Sequence, residues 1–306
     1  MAKYTTLHHL CSMPSLKGLA KQAYAVLPFK QPVYKILRRL GPPPEPIYRH
    51  LHFKGIINVP VTRTEQFRIM HHGYMIENEL FWSGLQGWEK VSMELWTRLC
   101  RRSGTILDIG ANTGVYALTA QAVNPSAMVI AVEPVQRIHA QLGENARLNG
   151  GKVITVHAAA SDHTGTAILY DLPEREHVLS VSLEPEWNQG IAGLKPVEVP
   201  CTTVAELLEK HSATGVDLLK IDVETHEAAV LRGFLDILRR DKPTLLIELL
   251  NDKVAEDVSV LLKGMGYWYY NIDDVTWPPV KTEHLSKSRH FNFLICQPGV
   301  AKAIGI

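Results

Sequence analysis

The chain predicts an α/β fold built on a doubly wound, mostly parallel sheet, and three observations carry that prediction. From residue 105 onward, short β-type runs alternate with helically periodic segments. The first run is followed at once by a glycine-rich turn, "GANTG", that opens a helix. Acidic residues then recur at the ends of successive runs, where such sheets place their ligands.

The runs are 105–109 (TILDI), 128–133 (MVIAVE), 153–157 (VITVH), 217–221 (DLLKI) and 244–249 (TLLIEL), with helical segments between most of them. Near-continuous apolar strands of this kind are covered on both faces. Residues 165–202 form an insertion whose pieces "TAILYD", "VLSVSLE" and "VEVPCTT" read as added hairpin strands. Two late runs, "YWYYNID" (267–273) and "HFNFLICQ" (290–297), predict a sheet ending in a hairpin.

Ahead of this domain lie two other pieces. Residues 14–40 place apolar side chains at helical spacing among Lys and Arg, and "GPPPEP" at 41–46 ends the segment. Residues 1–50 hold eight Lys/Arg against Glu45 alone, about +7, which leaves about −6 for the remainder of a chain whose net charge is +1. This arm suits an acidic membrane surface or a partner protein, or else packs as a helical appendage. Residues 51–82 alternate over short pieces and predict a few strands or a β-rich lid, whereas 87–104 return to helical spacing through Val91, Leu95 and Leu99. The expected domains are 1–46, a basic arm; 47–103, a lid and helical lead-in; and 104–300, the main domain.

Composition narrows the class. With 46% hydrophobic residues over 306 positions the chain can bury a sizeable core. No run spans a bilayer and the start lacks the apolar centre of a secretory signal, so a cytoplasmic protein is expected. Cys11, Cys100, Cys201 and Cys296 are widely spaced and predict buried thiols, neither a zinc site nor a disulfide framework. No nucleic-acid partner is expected.

In "TILDIGANTG", Asp108 sits at the strand end before Gly110, Asn112 and Gly114, and the spacing is not the G-x-G-x-x-G of dinucleotide sites. A carboxylate there repels a pyrophosphate and pairs with an ammonium group. S-adenosylmethionine carries an ammonium and no phosphate. Glu133 ends the next strand, where two carboxylate oxygens can meet two ribose hydroxyls. Ser161 and Asp162 follow the third strand, in place for the adenine amino group. The alternative is that all three acids cap helices.

The sequences "LDIGANTGVY", "VEP", "AASDHTG", "LLKIDVETHEAAVLRG", "LIEL" and "NFLIC" closely resemble the FkbM-type methyltransferases, from about residue 81 to 297. The resemblance implies a seven-stranded sheet with its last strand antiparallel, and methyl transfer to an oxygen, commonly a sugar or polyketide hydroxyl. Trp88 and Glu89 resemble a "WE" element of that family; Glu89 either contacts the cofactor or caps a helix.

Methyl transfer needs the acceptor held in line and relieved of its proton. Asp222, at the fourth strand's end, is the leading candidate for that work and also faces the cofactor. Glu224 orients the acceptor, shares a divalent metal with Asp222, or caps the next helix. Lys220 is either a base or the partner of a carboxylate. Glu227 is a helix-start acid. His226 stands where the family tends to place a small residue; it either takes the acceptor proton or fills space. Thr225 beside it replaces a position suited to glycine at positive φ. His71 and His72, adjacent on a strand, make a poor chelating pair.

These readings predict an S-adenosylmethionine-dependent O-methyltransferase for a hydroxyl of a carbohydrate or small natural product. The alternatives are a cofactor-binding protein without transferase activity and an NAD-dependent oxidoreductase.

Overall fold

A computed structural model describes residues 28–171, 183 and 193–306. The first elements are α1 (Lys30–Leu40), α2 (Glu45–Tyr48), a hairpin of β1 (Gly55–Pro60) and β2 (Gln66–His71), α3 (Met75–Ser83) and α4 (Lys90–Cys100). The predicted alternation follows as β3 (Thr105–Ile109), α5 (Val115–Val123), β4 (Met128–Val132), α6 (Gln136–Leu148) and β5 (Ile154–Val156). The insertion contributes β6 (Ala159–Ala160), β7 (Gly165–Asp171) and β8 (Lys195–Thr202). Then come α7 (Val204–Lys210), β9 (Leu218–Ile221), α8 (Glu227–Arg232), α9 (Leu235–Asp241), β10 (Thr244–Glu248) and α10 (Asp252–Leu262). The chain closes through β11 (Trp268–Asn271), β12 (Val280–Thr282), β13 (Asn292–Cys296) and α11 (Pro298–Ile304).

The main sheet runs in the order β12-β11-β13-β10-β9-β3-β4-β5. Strands β5, β4, β3, β9 and β10 are parallel neighbours, and β13 is antiparallel to both β10 and β11. The seven-stranded arrangement with an antiparallel last strand is therefore present, with the short β12 added at the edge. The insertion makes its own sheet, β6-β8-β7. Its "VLSVSLE" piece lies, apart from Leu183, outside the described residues, as do residues 14–27 of the arm.

The period of two along each strand sorts side chains to two separate cores. Leu107, Ile109, Leu219, Ile221, Leu245 and Ile247 face α7–α10, while Ile106, Leu218 and Leu246 face α4, α5 and the lead-in. Each such side chain contributes about 1.5–3 kcal/mol by leaving water. Counting by twos from Ile106, Leu218 and Leu246 brings Asp108, Lys220 and Glu248 to that second face, where they are the polar members of an apolar layer.

The lead-in shares this second core, which runs from Tyr34 and Phe53 through Trp82 and Trp96 to Ile106. The Asn145 and Asn149 side chains accept the edge N–H groups of Met70 and Arg68, so α6 closes one side of β2. Residues 75–83 are helical, where a β-rich piece was expected. The Glu77 carboxylate accepts the Tyr74 N–H at 3.0 Å at the start of that helix, a capping contact that overrides the alternating pattern. His71 is buried against Glu77 and His72 lies near Glu144, so the two rings do diverge. Cys100, Cys201 and Cys296 are buried thiols, and Cys11 lies outside the described residues. Among the described residues no helix is long and apolar enough to cross a membrane.

Candidate active site

A cavity of about 270 Å³ opens across the carboxyl ends of β3, β4, β9 and β10. Its floor is the glycine turn. Gly110 has φ +79°, and a Cβ there would lie 1.8 Å from the Asp222 carbonyl oxygen, so only glycine lets β3 and β9 leave the sheet side by side. Asn112 is also left-handed, at φ +51°; its N–H donates to Glu133 Oε2 at 3.0 Å and its own side-chain oxygen accepts from the Thr113 N–H. Gly114, at φ +97°, starts α5, and a Cβ on it would strike Leu142 at 2.6 Å.

Six acids line the cavity, Glu89, Asp108, Glu133, Asp222, Glu224 and Glu248, against one cation, Lys220. Asp108 is buried and accepts the Ala117 N–H of α5 at 2.9 Å. Glu133 accepts two backbone N–H groups, from Asn112 and from Val135 at 2.9 Å, one per carboxylate oxygen. A second lone pair on each oxygen is left for a ligand hydroxyl. Burial pushes both acids up to about 7. Glu89 is left-handed at the start of α4 and caps nothing there. Its carboxylate instead takes a short hydrogen bond from the Tyr116 hydroxyl, and burial raises it to about 7.

Lys220 extends beneath this ring, 3.1 Å from Asp222 Oδ2 and 5.2 Å from the Tyr116 ring centre. Burial alone would lower its pKa, but Asp222, Glu89 and Glu248 outweigh that and hold it above the ordinary lysine value. The contact with Asp222 gives Lys220 the carboxylate partner that was one of its two expected roles.

Asp222, Glu224 and Glu248 bring carboxylate oxygens within 4.8 Å of one another. Burial, then the charge of Asp222, raises Glu248 well above the ordinary carboxylate value. Three oxygen donors at this spacing would also suit a divalent cation, and the expected Asp222–Glu224 pair would be completed by Glu248. Sequence reasoning passed over Glu248 because "LIEL" reads as sheet; the available signal was its parity with Lys220 and its place at a strand end. Tyr116 was missed as well, being one aromatic in an apolar helix.

The loop after β9 is set by Glu227. It is buried at the first position of α8 and accepts the N–H groups of Val223 at 3.3 Å and Thr225 at 3.2 Å, with burial raising it to about 8. Glu224 and Thr225 both adopt positive φ, +52° and +81°. Glu227 thus serves the loop before its helix together with its own N–H at the helix start.

Three expected residues fall elsewhere. The parallel pairing of β6 with β8 gives the cavity Ala158, Ala159 and Ala160, and turns Ser161 and Asp162 away from it. Ser161 is buried, its hydroxyl 2.8 Å from His226 Nε2; Asp162 meets His163 Nδ1 and Arg232 Nε, each at 3.1 Å. His226 therefore ties the β6 loop to α8 and does not line the cavity. The reading of Ser161 and Asp162 as adenine partners and of His226 as a base has no support in this placement.

The strand order, the glycine turn and a cavity at the strand ends define the Rossmann-like class I methyltransferase fold. A family model for the methyltransferase FkbM domain matches residues 108–269, more than half of the chain. The chain belongs to the FkbM methyltransferase family. Similar solved structures include a methyltransferase FkbM from Methylobacillus flagellatus KT, with 14% identity, TM-score 0.41, and coverage of 63% of this chain and 43% of that one. An SAM-dependent methyltransferase from Agrobacterium tumefaciens is 14% identical with TM-score 0.40, covering 79% of this chain and 70% of its own. Aeropyrum pernix fibrillarin, natively bound to S-adenosyl-L-methionine, is 15% identical with TM-score 0.34, covering 63% and 65%. The chain thus spans less than half the length of the Methylobacillus protein. No curated protein matches it.

Proposed function

We propose that this methyltransferase uses S-adenosylmethionine to methylate a hydroxyl, of a carbohydrate or a small natural product. The supporting observation is the lining of the cavity, six acidic side chains with one lysine, beside a glycine turn that lets backbone approach a ligand. Such a lining favours a ligand carrying a sulfonium and an ammonium and opposes a pyrophosphate, which weighs against NAD.

When bound, the cofactor supplies an electrophilic methyl group. The residues then divide the work. Glu133 presents its remaining lone pairs to the ribose, and Asp108 and Glu89 face the cationic end. Lys220 donates a hydrogen bond to Asp222 and holds it aimed into the cavity. The acceptor's proton passes to Asp222, whose carboxylate lies beside that of Glu248. A hydroxyl acceptor is favoured over a nitrogen by this need for a proton sink. Glycans and small polyols present such hydroxyls.

Calorimetry with S-adenosylmethionine and with NAD, followed by assay of adenosylhomocysteine release on a panel of glycans, tests the reading. Micromolar binding of the first, none of the second, and turnover with at least one glycan are expected. A folded protein that binds neither nucleotide sinks the proposal; binding without turnover on any hydroxyl leaves a cofactor-binding protein.

A further inference from the structure

Helix α1 is built the wrong way round for a helix serving only as packing. Val33, Ile36, Leu37 and Leu40 follow one another at intervals of three, one and three residues, one stripe of the helix, and Phe29 stands at its N-cap. All five are exposed, from 37% at Leu37 to 82% at Leu40. The opposite side holds the helix to the body: Tyr34 is buried between Phe53 and Trp82, with ring centres at 6.0 and 5.6 Å. Arg38 lies over the Phe81 ring at 5.3 Å, and Gln31 Nε2 donates to the Ile56 carbonyl at 2.7 Å. Those contacts fix the rotation of α1, so the apolar stripe stays outward.

Lys30 and Arg39 lie to either side of the stripe, Lys35 lies further round the helix, and α1 contains no acid. Within residues 1–50 the eight Lys/Arg face Glu45 alone, and residues 14–28 continue the apolar spacing with Lys17 and Lys21 among them. We propose that this face docks on a bilayer carrying anionic lipid, with the stripe entering the interface and the basic flanks meeting headgroups. Charge selects this occupant. A second copy would bring an equally basic stripe against the first, setting like charges together.

The test is co-sedimentation of the full chain with phosphatidylcholine vesicles, with and without phosphatidylglycerol. Wild-type protein is expected to sediment with the anionic vesicles, less so at raised salt, and the Ile36→Glu/Leu40→Glu variant to bind at least about tenfold more weakly. Lys35→Glu/Arg39→Glu should lose the dependence on phosphatidylglycerol. Unchanged thermal melts and S-adenosylmethionine binding show that the variants fold, since these positions are remote from the cavity. Absence of sedimentation with anionic vesicles overturns the proposal. So does equal binding by the Ile36→Glu/Leu40→Glu variant, or a wild-type dimer that this variant converts to a monomer.

Discussion

The carbonyl oxygen of Asp222 occupies the space that a side chain on Gly110 would need, 1.8 Å from the position of its Cβ. The turn proposed to receive the cofactor and the strand end that carries the leading acid are thus one steric unit. Gly110→Ala should lose S-adenosylmethionine binding altogether and cost more than about 2 kcal/mol of stability, from the clash and from a left-handed φ closed to Cβ. Denaturant unfolding with calorimetry reads both. Retained micromolar affinity in the alanine variant would contradict the coupling.

Asp222 and His226 separate cleanly by position. Asp222→Asn keeps the hydrogen bond from Lys220 but cannot take a proton, so kcat should fall about 100-fold or more with cofactor affinity within a few-fold. His226→Ala removes the tie to Ser161. Its kcat should stay within about twofold while stability drops by about 1 kcal/mol. A large kcat loss in the histidine variant would return it to the proton path.

Cofactor affinity should rise between about pH 6 and 8. Glu89, Asp108 and Glu133 are all raised to about 7 by burial, so near neutrality they are partly protonated, and a cation must displace those protons to bind. Calorimetry at pH 6.5 in buffers of different ionisation heat should record proton release. For the ligand-free protein the sign is opposite. A raised acid adds stability that is complete below its unfolded value near 4.5 and is lost as pH rises through its folded value, here 7 to 9 with Glu227 and Glu248 included. The thermal shift given by cofactor should therefore grow with pH. Proton uptake on binding would refute this arrangement.

Thr225 holds a β-branched side chain at φ +81°. Thr225→Gly should raise stability by about 1 kcal/mol, or some 2–4 °C in Tm, because the relieved strain exceeds the added entropy of the unfolded glycine. Differential scanning calorimetry decides it; a lower Tm would mean that Thr225 contacts outweigh its backbone cost.

How far the sequence reached follows from which constraints are local. The strands from Thr105 to Glu248 announce themselves through apolar runs, and Asp108 and Glu133 through their place at strand ends. The glycine-suited conformation at Thr225 came from the family resemblance, whose pattern tends to place a small residue there. What escaped depends on pairings distant in sequence. Ser161 and Asp162 lie as expected after a strand, but β6 joins β8, some forty residues on, and that pairing carries both side chains to α8. Glu248 enters the site only because β10 lies beside β9 in register, with Leu246 opposite Lys220. The helix at Met75–Ser83 rests on one carboxylate reaching back to Tyr74, too small a signal to overturn an alternating pattern.

The junction near residue 104 that reads as a domain boundary is also a place where a protease or a gene fusion would be expected to cut harmlessly, and here it would not be harmless. Trp88 and Glu89 form one wall of the cavity, and Trp96 fixes Tyr116 through an indole N–H to its backbone carbonyl at 2.9 Å. A fragment starting at 104 would keep every strand of the sheet and the whole FkbM-matching segment. It would also leave Tyr116 and Lys220 open to water, and the apolar layer beneath them bare. Such trimming is expected to yield an incomplete site with exposed apolar surface, so a working fragment has to include the region ahead of the recognised segment.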